Sequence, residues 1–384
     1  EAMEILEEAA TLAERLGDAE ILARAALARA GFSAGIHVMT GDPGQLPLLE
    51  RALGALEDSD SALRAQVMGR LSALRVFMGS PHGNPSFARS AIAMARRIGD
   101  KKALAYVLNT AMWAACGPGD REEGLTWVEE LIRLADEIGD VRLAAEGHLW
   151  KARSHLEIGD IAAAGHEVDI QERFATTSRQ AYHRYLANVA RGGRAFMEGR
   201  FDEAEACLEE TLDMGRGGSF SIVAALQGTL SLLHEQQGRA IEDLQHLTSL
   251  AAQYPLTLWR VGVAARHATS GQTEEARTEF ESLAANDFSD VPRDMMWMHN
   301  MSRLSDLVVR FGDAQRAAVL YGLLLPYREH CIVTGGISII RGTVSHWLGA
   351  LATILSRYDE AERHFEHSLE MTARMRARIW VAHT

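Results

Sequence analysis

From Gly349 to Leu369 the apolar positions Ala361, Phe365 and Leu369 recur every four residues, behind Asp359 and Glu360. That spacing predicts a helix with one packing face and an acidic first turn, where the helix dipole favours negative charge. The phrase repeats upstream. Ala361, Ala317, Ala276 and Ala204 each stand five residues after a turn residue (Ser356, Gly312, Gly271, Gly199) and four before a large apolar one (Phe365, Tyr321, Phe280, Leu208). Gly-Asp and Gly-Arg pairs punctuate the chain at Gly17, Gly99, Gly139, Gly159, Gly199, Gly238, Gly271 (followed by Gln) and Gly312. Successive turns such as 99 to 139, or 159 to 199, lie 40 residues apart, and Gly139 and Gly159 lie half that distance apart. Each repeat is therefore two antiparallel helices: a glycine ends one in a left-handed cap and the next residue begins the other.

An alanine followed four positions later by an aromatic, just after a glycine turn, resembles the tetratricopeptide pattern, in which small residues let two helices approach closely. The expected fold is all-α: a right-handed α-solenoid of tetratricopeptide-like hairpins with a period of about 40 residues. It forms one elongated domain over 1–384, with irregular repeats over 1–98, regular ones over 99–288 and a distinctive end over 289–384. The first helices of the pairs are placed at 18–38, 60–78, 100–116, 140–158, 180–198, 219–237, 256–270, 291–311 and 336–355, with another starting near Arg378. Pro/Gly clusters at Gly41–Gly44 and Gly79–Pro85, and a longer connection at Asn286–Pro292, interrupt the rhythm.

Composition narrows the functional classes. Hydrophobic residues make up 47% of the chain, which argues against disorder. The formal charge of −13 argues against direct binding of nucleic acid or of an anionic membrane surface. Cys116, Cys207 and Cys331 share no metal-ligand spacing and suit buried thiols in a reducing cytoplasm. No apolar run of about 18 residues suggests a membrane span, and the start at Glu1-Ala2-Met3 in mid-helix suggests a fragment of a longer protein.

The last hundred residues carry more than a repeat. Val291-Pro-Arg-Asp294, Gly312-Asp313, Ala317-Ala318, Leu320-Tyr321, Leu324-Leu-Pro-Tyr327, Gly335-Gly336, Gly342, Leu348-Gly349, Asp359-Glu-Ala361, His364-Phe365, Arg374-Met375, Ala377-Arg378, Trp380 and Thr384 resemble one family. It is the C-terminal helical-repeat region of bacterial signal-transduction ATPase regulators: large ATP-dependent LuxR-type transcription factors and AAA-ATPase-fused class III nucleotidyl cyclases. The resemblance implies ATPase and output modules elsewhere in the full-length protein, a role in transcriptional regulation or signalling, and a cytoplasmic location. It also implies a groove that binds a protein partner or small-molecule effector, with homo-oligomers as a further expectation. Three positions depart from the family: Arg376 stands where glycine is usual, Ile379 where proline is usual, and Ser356 replaces a turn glycine.

No catalytic machinery is evident. With Lys only at 101, 102 and 151, no phosphate loop can be formed. Gly335, Gly336 and Gly342 read as a flexible helix start, and Glu360, His364 and His367 as a solvated helix face rather than a metal site. No cofactor is expected. The position nine before each turn reads Trp150, Ala190, Thr229, Gly262, Arg303 and Trp347, varying in size and charge as a packing position should not. These residues are therefore expected to face a concave groove in two patches: Trp150 with Arg153, and His299, Arg303 and Trp347. The competing reading is a passive peptide-binding or oligomerisation scaffold without a small-molecule ligand.

Overall fold

The computed structural model describes residues 2–30, 44–77, 85–114, 117–119, 121–177, 181–215, 220–239, 244–253, 256–334 and 339–384. Within them stand twenty α-helices and one two-stranded sheet, an all-α solenoid of helical hairpins. The chain divides into two compact units, Glu1–Trp150 with Gly218–Ile222, and Lys151–Gly217 with Val223–Thr384.

The first unit holds α1 (Ala2–Leu16), α2 (Ala19–Arg29), α3 (Gln45–Ala55), α4 (Ala62–Phe77), α5 (Pro85–Ile98), α6 (Lys101–Ala114), α7 (Arg121–Ile138) and most of α8 (Val141–Leu156). Here α4 lies against both α5 and α6. The second unit takes the end of α8, then α9 (Ile161–Thr177), α10 (Ala181–Met197), α11 (Phe201–Gly215), most of α12 (Phe220–Gln236), α13 (Leu244–Gln253), α14 (Thr257–Thr269), α15 (Thr273–Ala284), α16 (Trp297–Phe311) and α17 (Ala314–Leu324). A 3-10 turn at Leu325–Tyr327 leads into β1 (Cys331–Thr334) and β2 (Ile339–Thr343), followed by α18 (Val344–Ile354), α19 (Tyr358–Arg374) and α20 (Arg378–His383).

The punctuation seen in the sequence sets these boundaries. All eight framing glycines, from Gly17 to Gly312, have positive φ, the backbone that closes a helix. Asp18, Asp100, Asp140, Asp160 and Asp313 then accept backbone N–H groups of the next helix at 2.9–3.2 Å. Ser356 and Arg376 hold the same left-handed conformation at φ 57° and 56°. The helix breaks thus survive the loss of glycine, and α20 begins at Arg378 as expected. Ala204, Ala276, Ala317 and Ala361 are all buried at hairpin contacts. Gly349 lets the Phe365 ring approach so closely that a Cβ there would lie 2.7 Å from it.

Four expectations need correction. The helix placed at 291–311 begins only at Trp297, because Asp294 caps the preceding turn, its Oδ1 accepting the Met296 N–H at 2.8 Å. The helix placed at 336–355 is instead β2 followed by α18. β1 and β2 pair antiparallel, Cys331 opposite Thr343 and Val333 opposite Ile340, and every residue of both strands is buried. Leu369 is 38% exposed, while Ser368, Met371 and Thr372 carry the inner face of α19. Most consequential, the inner side of the second unit is not an open groove. The strand pair fills it, packing against α10, α16, α18 and α19. Gly41 to Pro43, Gly79 to Asn84, Gly335 and Gly336 lie outside the described residues.

The ends of the second unit meet around this ladder. The Cys331 N–H donates to the Glu157 carbonyl at 2.7 Å, α20 packs on α10, and His383 Nε2 lies 2.7 Å from Gln236 Oε1. Trp380 seals the junction, donating Nε1–H to the Ile340 carbonyl at 2.8 Å. It sits over Gly342, where φ is 76° and a Cβ would lie 2.7 Å from the indole. Gly342→Ala should therefore destabilise the protein by at least about 1–2 kcal/mol, from the left-handed backbone alone. Ser356→Gly, which relieves the same conformation, should leave stability unchanged or raise it by up to about 1 kcal/mol. Denaturant unfolding monitored by circular dichroism checks both signs.

Candidate functional site

Stacked hairpins place the first helices of successive pairs side by side, so polar residues on their inner faces can meet. In the second unit Glu235 lies in the last turn of α12, Arg266 near the end of α14 and Arg303 in the middle of α16. Both Arg303 Nη groups donate to the Glu235 carboxylate at 2.7 Å, a two-pronged pair. Arg266 Nη2 stands 3.7 Å from the same carboxylate and donates to the Ser231 carbonyl at 2.7 Å and its Oγ at 2.6 Å. Burial alone would raise the Glu235 pKa, but the Arg303 charge and hydrogen bonds, with Arg341 and Arg266 behind them, hold it well below the usual carboxylate range.

Arg341 enters the same region from β2 and is only 4% exposed. Its Nε donates to Ser302 Oγ at 3.0 Å, and Ser302 in turn donates to the His299 carbonyl. The guanidinium lies 5.1 Å from the Trp347 ring centroid and 5.9 Å from that of Trp380. Burial and the neighbouring Arg303 push its pKa down to about 9, against the pull of Glu235 and Asp306. His299 is held neutral by burial and by Arg341 and Arg303, and its Nδ1 lies 3.2 Å from Thr334 Oγ1. His346, packed edge-on against Trp347 and Trp380, is pushed down to about 4 by burial, with His383 and Arg341 adding to it.

The five residues expected to line a groove are all buried: Trp150 is 1% exposed, Arg153 4%, His299 3%, Arg303 2% and Trp347 6%. The variable register is an interior column, and it varies because it accommodates ions and rings rather than one repeated apolar contact. His299, Arg303 and Trp347 do come together around Arg341. Trp150 and Arg153 fall in different units, each with its own neighbours. In the first unit Trp150 packs edge-on against Trp113 with centroids 4.8 Å apart and donates Nε1–H to Asn109 Oδ1 at 3.3 Å. Asn109 in turn donates to Glu146. In the second, Arg153 Nη2 pairs with Glu157 at 3.0 Å and reaches the Met295 carbonyl at 3.4 Å.

No protein-family model matches the chain, and no curated protein does. Among solved structures, the human IFIT1 dimer with m7Gppp-AAAA is similar over 93% of this chain and 95% of that one, at 13% identity and a TM-score of 0.41. A circular tandem repeat protein with novel repeat topology and enhanced subunit contact surfaces is similar over 98% of this chain and 74% of that one, at 18% identity and a TM-score of 0.13. The site is accordingly read from its own geometry.

Cys331 is buried, its thiol pushed up to about 12 by burial and lying 3.2 Å from Met375 Sδ. On α17–α19, Glu360 and His364 converge on the Tyr321 hydroxyl at 2.7 and 3.0 Å, whereas His367 turns to Glu329 at 3.0 Å. Among the described residues no group of three or more His, Cys, Asp or Glu is arranged to hold a metal ion. Glu235, Arg266 and Arg341 were not among the residues singled out from the sequence, and Trp380 was named only within the family resemblance. The available signal was a charged residue on the inner face of an otherwise apolar first helix.

Removing Glu235 alone takes away the ion-pair partner of the buried Arg303 guanidinium. Glu235→Gln should cost roughly 3–5 kcal/mol, the range for breaking one side of a buried pair. Because the folded pKa is depressed, the wild-type contribution is fully present above the ordinary carboxylate value of 4.5 and is lost only as pH falls well below it. Urea unfolding of both proteins across acidic and neutral pH measures this: the gap should be constant at neutral pH and close in strong acid.

Proposed function

We propose that this chain is the sensor and protein-interaction arm of an ATP-dependent bacterial transcriptional or signalling regulator, taking an effector in the interior of its second unit. The observation that carries this reading is the Glu235–Arg266–Arg303–Arg341 cluster, ionised groups kept in an interior that apolar residues could fill at equal or greater stability. The segment that resembles the regulators, 291–384, supplies Arg303, Arg341, Trp347 and Trp380 to that cluster. An effector that binds one packing of the hairpins better than another would shift the equilibrium seen by an attached ATPase through differential affinity. The net charge of −13 supports a cytoplasmic arm that leaves DNA contact to another module. Among the described residues no helix is long and apolar enough to cross a membrane.

The competing reading, a passive peptide-binding or oligomerisation scaffold, gives the cluster no ligand. A thermal-shift screen of the chain against metabolites separates them. An effector at about a hundred times its Kd adds about 2.7 kcal/mol and raises the midpoint by several degrees. Nucleoside triphosphate hydrolysis should stay at background throughout. Failure of every metabolite class to shift the midpoint would favour the scaffold.

A further inference from the structure

Among the described residues around Glu235, the cations Arg266, Arg303 and Arg341 outnumber the carboxylates in contact with them. Glu235 is the carboxylate in direct contact, and both its oxygens are committed to Arg303, with Arg266 beside them. Asp306 acts on Arg303 and Arg341 only through its field. Among the described residues Arg341 has no carboxylate within ion-pair distance, and its guanidinium makes one hydrogen bond, from Nε to Ser302. Its Nη1 and Nη2 make no hydrogen bond among the described residues. Trp347 Nε1–H, on the ring against which Arg341 lies, is buried and without a partner among the described residues. Arg303 Nε is a further buried donor of the same kind. The neighbouring histidines add no charge, since His299 and His346 are held neutral.

Every unsatisfied group named here is a donor, and the local balance of charge is positive. Buried donors without acceptors cost free energy, and an unpaired buried guanidinium costs more. A water molecule could accept one or two hydrogen bonds but would leave the charge uncompensated. An oxyanion meets both requirements, because a planar guanidinium fork matches the oxygens of a carboxylate or phosphate in two parallel hydrogen bonds. The indoles of Trp347 and Trp380, with His346 packed against both, make the surroundings of the Arg341 guanidinium otherwise apolar.

We infer that the interior of the second unit is an oxyanion site, in which Arg341 Nη1 and Nη2 and the Trp347 indole N–H take the carboxylate or phosphate group of a small organic effector. The inference rests on the sensor reading and deepens it by naming the ligand chemistry. Arg341 is the recognition residue, while Arg303, tied to Glu235, holds the positive field without spending its own Nη donors on the ligand. A cationic effector is excluded from this position, and a neutral one would leave the Arg341 charge uncovered.

The test is thermal denaturation and titration calorimetry of the 384-residue chain with sodium phosphate and with sodium succinate, each against sodium chloride at equal ionic strength. Wild type should show a saturable rise in midpoint with at least one of the two anions. A response to phosphate assigns a phosphorylated effector, and a response to succinate a carboxylate. Arg341→Met should lose that response while its anion-free midpoint stays equal to wild type or rises, since it removes an uncompensated buried charge. Arg341→Lys, which keeps the charge without the fork, should bind roughly ten- to a hundredfold more weakly. It remains informative if the methionine variant does not fold. Trp347→Phe, keeping the ring and losing the N–H, should weaken binding less. Parallel responses of wild type and Arg341→Met would reveal general salt stabilisation and overturn the proposal. So would a response in neither anion, and so would full affinity in Arg341→Lys. If the metabolite screen yields only neutral or cationic effectors, the oxyanion assignment fails while the sensor reading stands; if it yields none and both anions are silent, both fail.

Discussion

The second unit depends on a two-pronged ion pair buried at its centre, Glu235 with Arg303, because the helices that carry these residues can approach only if the charges meet. The two lie 68 residues apart, on α12 and α16, with Arg266 of the intervening α14 completing the contact. Reach across two repeats is available only on the inner side of a curved stack, where long side chains converge. Once α12, α14 and α16 are drawn together in this way, their inner faces share one buried ionic cluster. Such a pair stabilises little by itself, since desolvation offsets most of the attraction, but it is costly to break from one side. Its presence constrains which packings of the hairpins are possible more than it deepens any one of them.

The strand pair follows from that constraint. An interior lined by guanidinium groups cannot be closed by another apolar helix, and β1–β2 brings both its own paired backbone and Arg341 into the space. Gly342 gives the indole of Trp380 room against the strand, so the last helix can return to α10. The C-terminal residues therefore close the unit that the earlier repeats build. Trp380, His346 and Trp347 wall the region that Arg341 occupies, and the same contacts that complete the fold define the candidate site.

What could be read from the sequence was the part encoded locally. Glycine at a helix end followed by Asp specifies a cap wherever it occurs, and alanine four before an aromatic specifies a close helix contact, so hairpins and period were legible. The strand pair was encoded locally too, in the β-branched runs Cys331–Thr334 and Ile339–Thr343 around Gly335-Gly336. Helical periodicity on both sides obscured it, and the two glycines were read as the start of a helix. The site was legible only in part. An irregular column drew attention to Arg303 and Trp347, but the same irregularity is expected of a groove and of an interior ionic network. Which one it is depends on partners on other repeats, Glu235, Arg266 and Arg341, and no local pattern pairs residues across two periods.

The central claim is that this polar interior is kept for recognition and not for folding. The most direct measurement replaces the network as a whole, Glu235→Leu with Arg266→Met, Arg303→Met and Arg341→Met, and compares its unfolding free energy and its effector-dependent stabilisation with those of wild type. The account predicts an unfolding free energy within about 1–2 kcal/mol of wild type, or above it, as apolar replacement of buried ionic groups commonly gives, together with loss of the effector response. A quadruple variant that retains the full effector response, or that loses stability as heavily as a protein stripped of Glu235 alone, would contradict it.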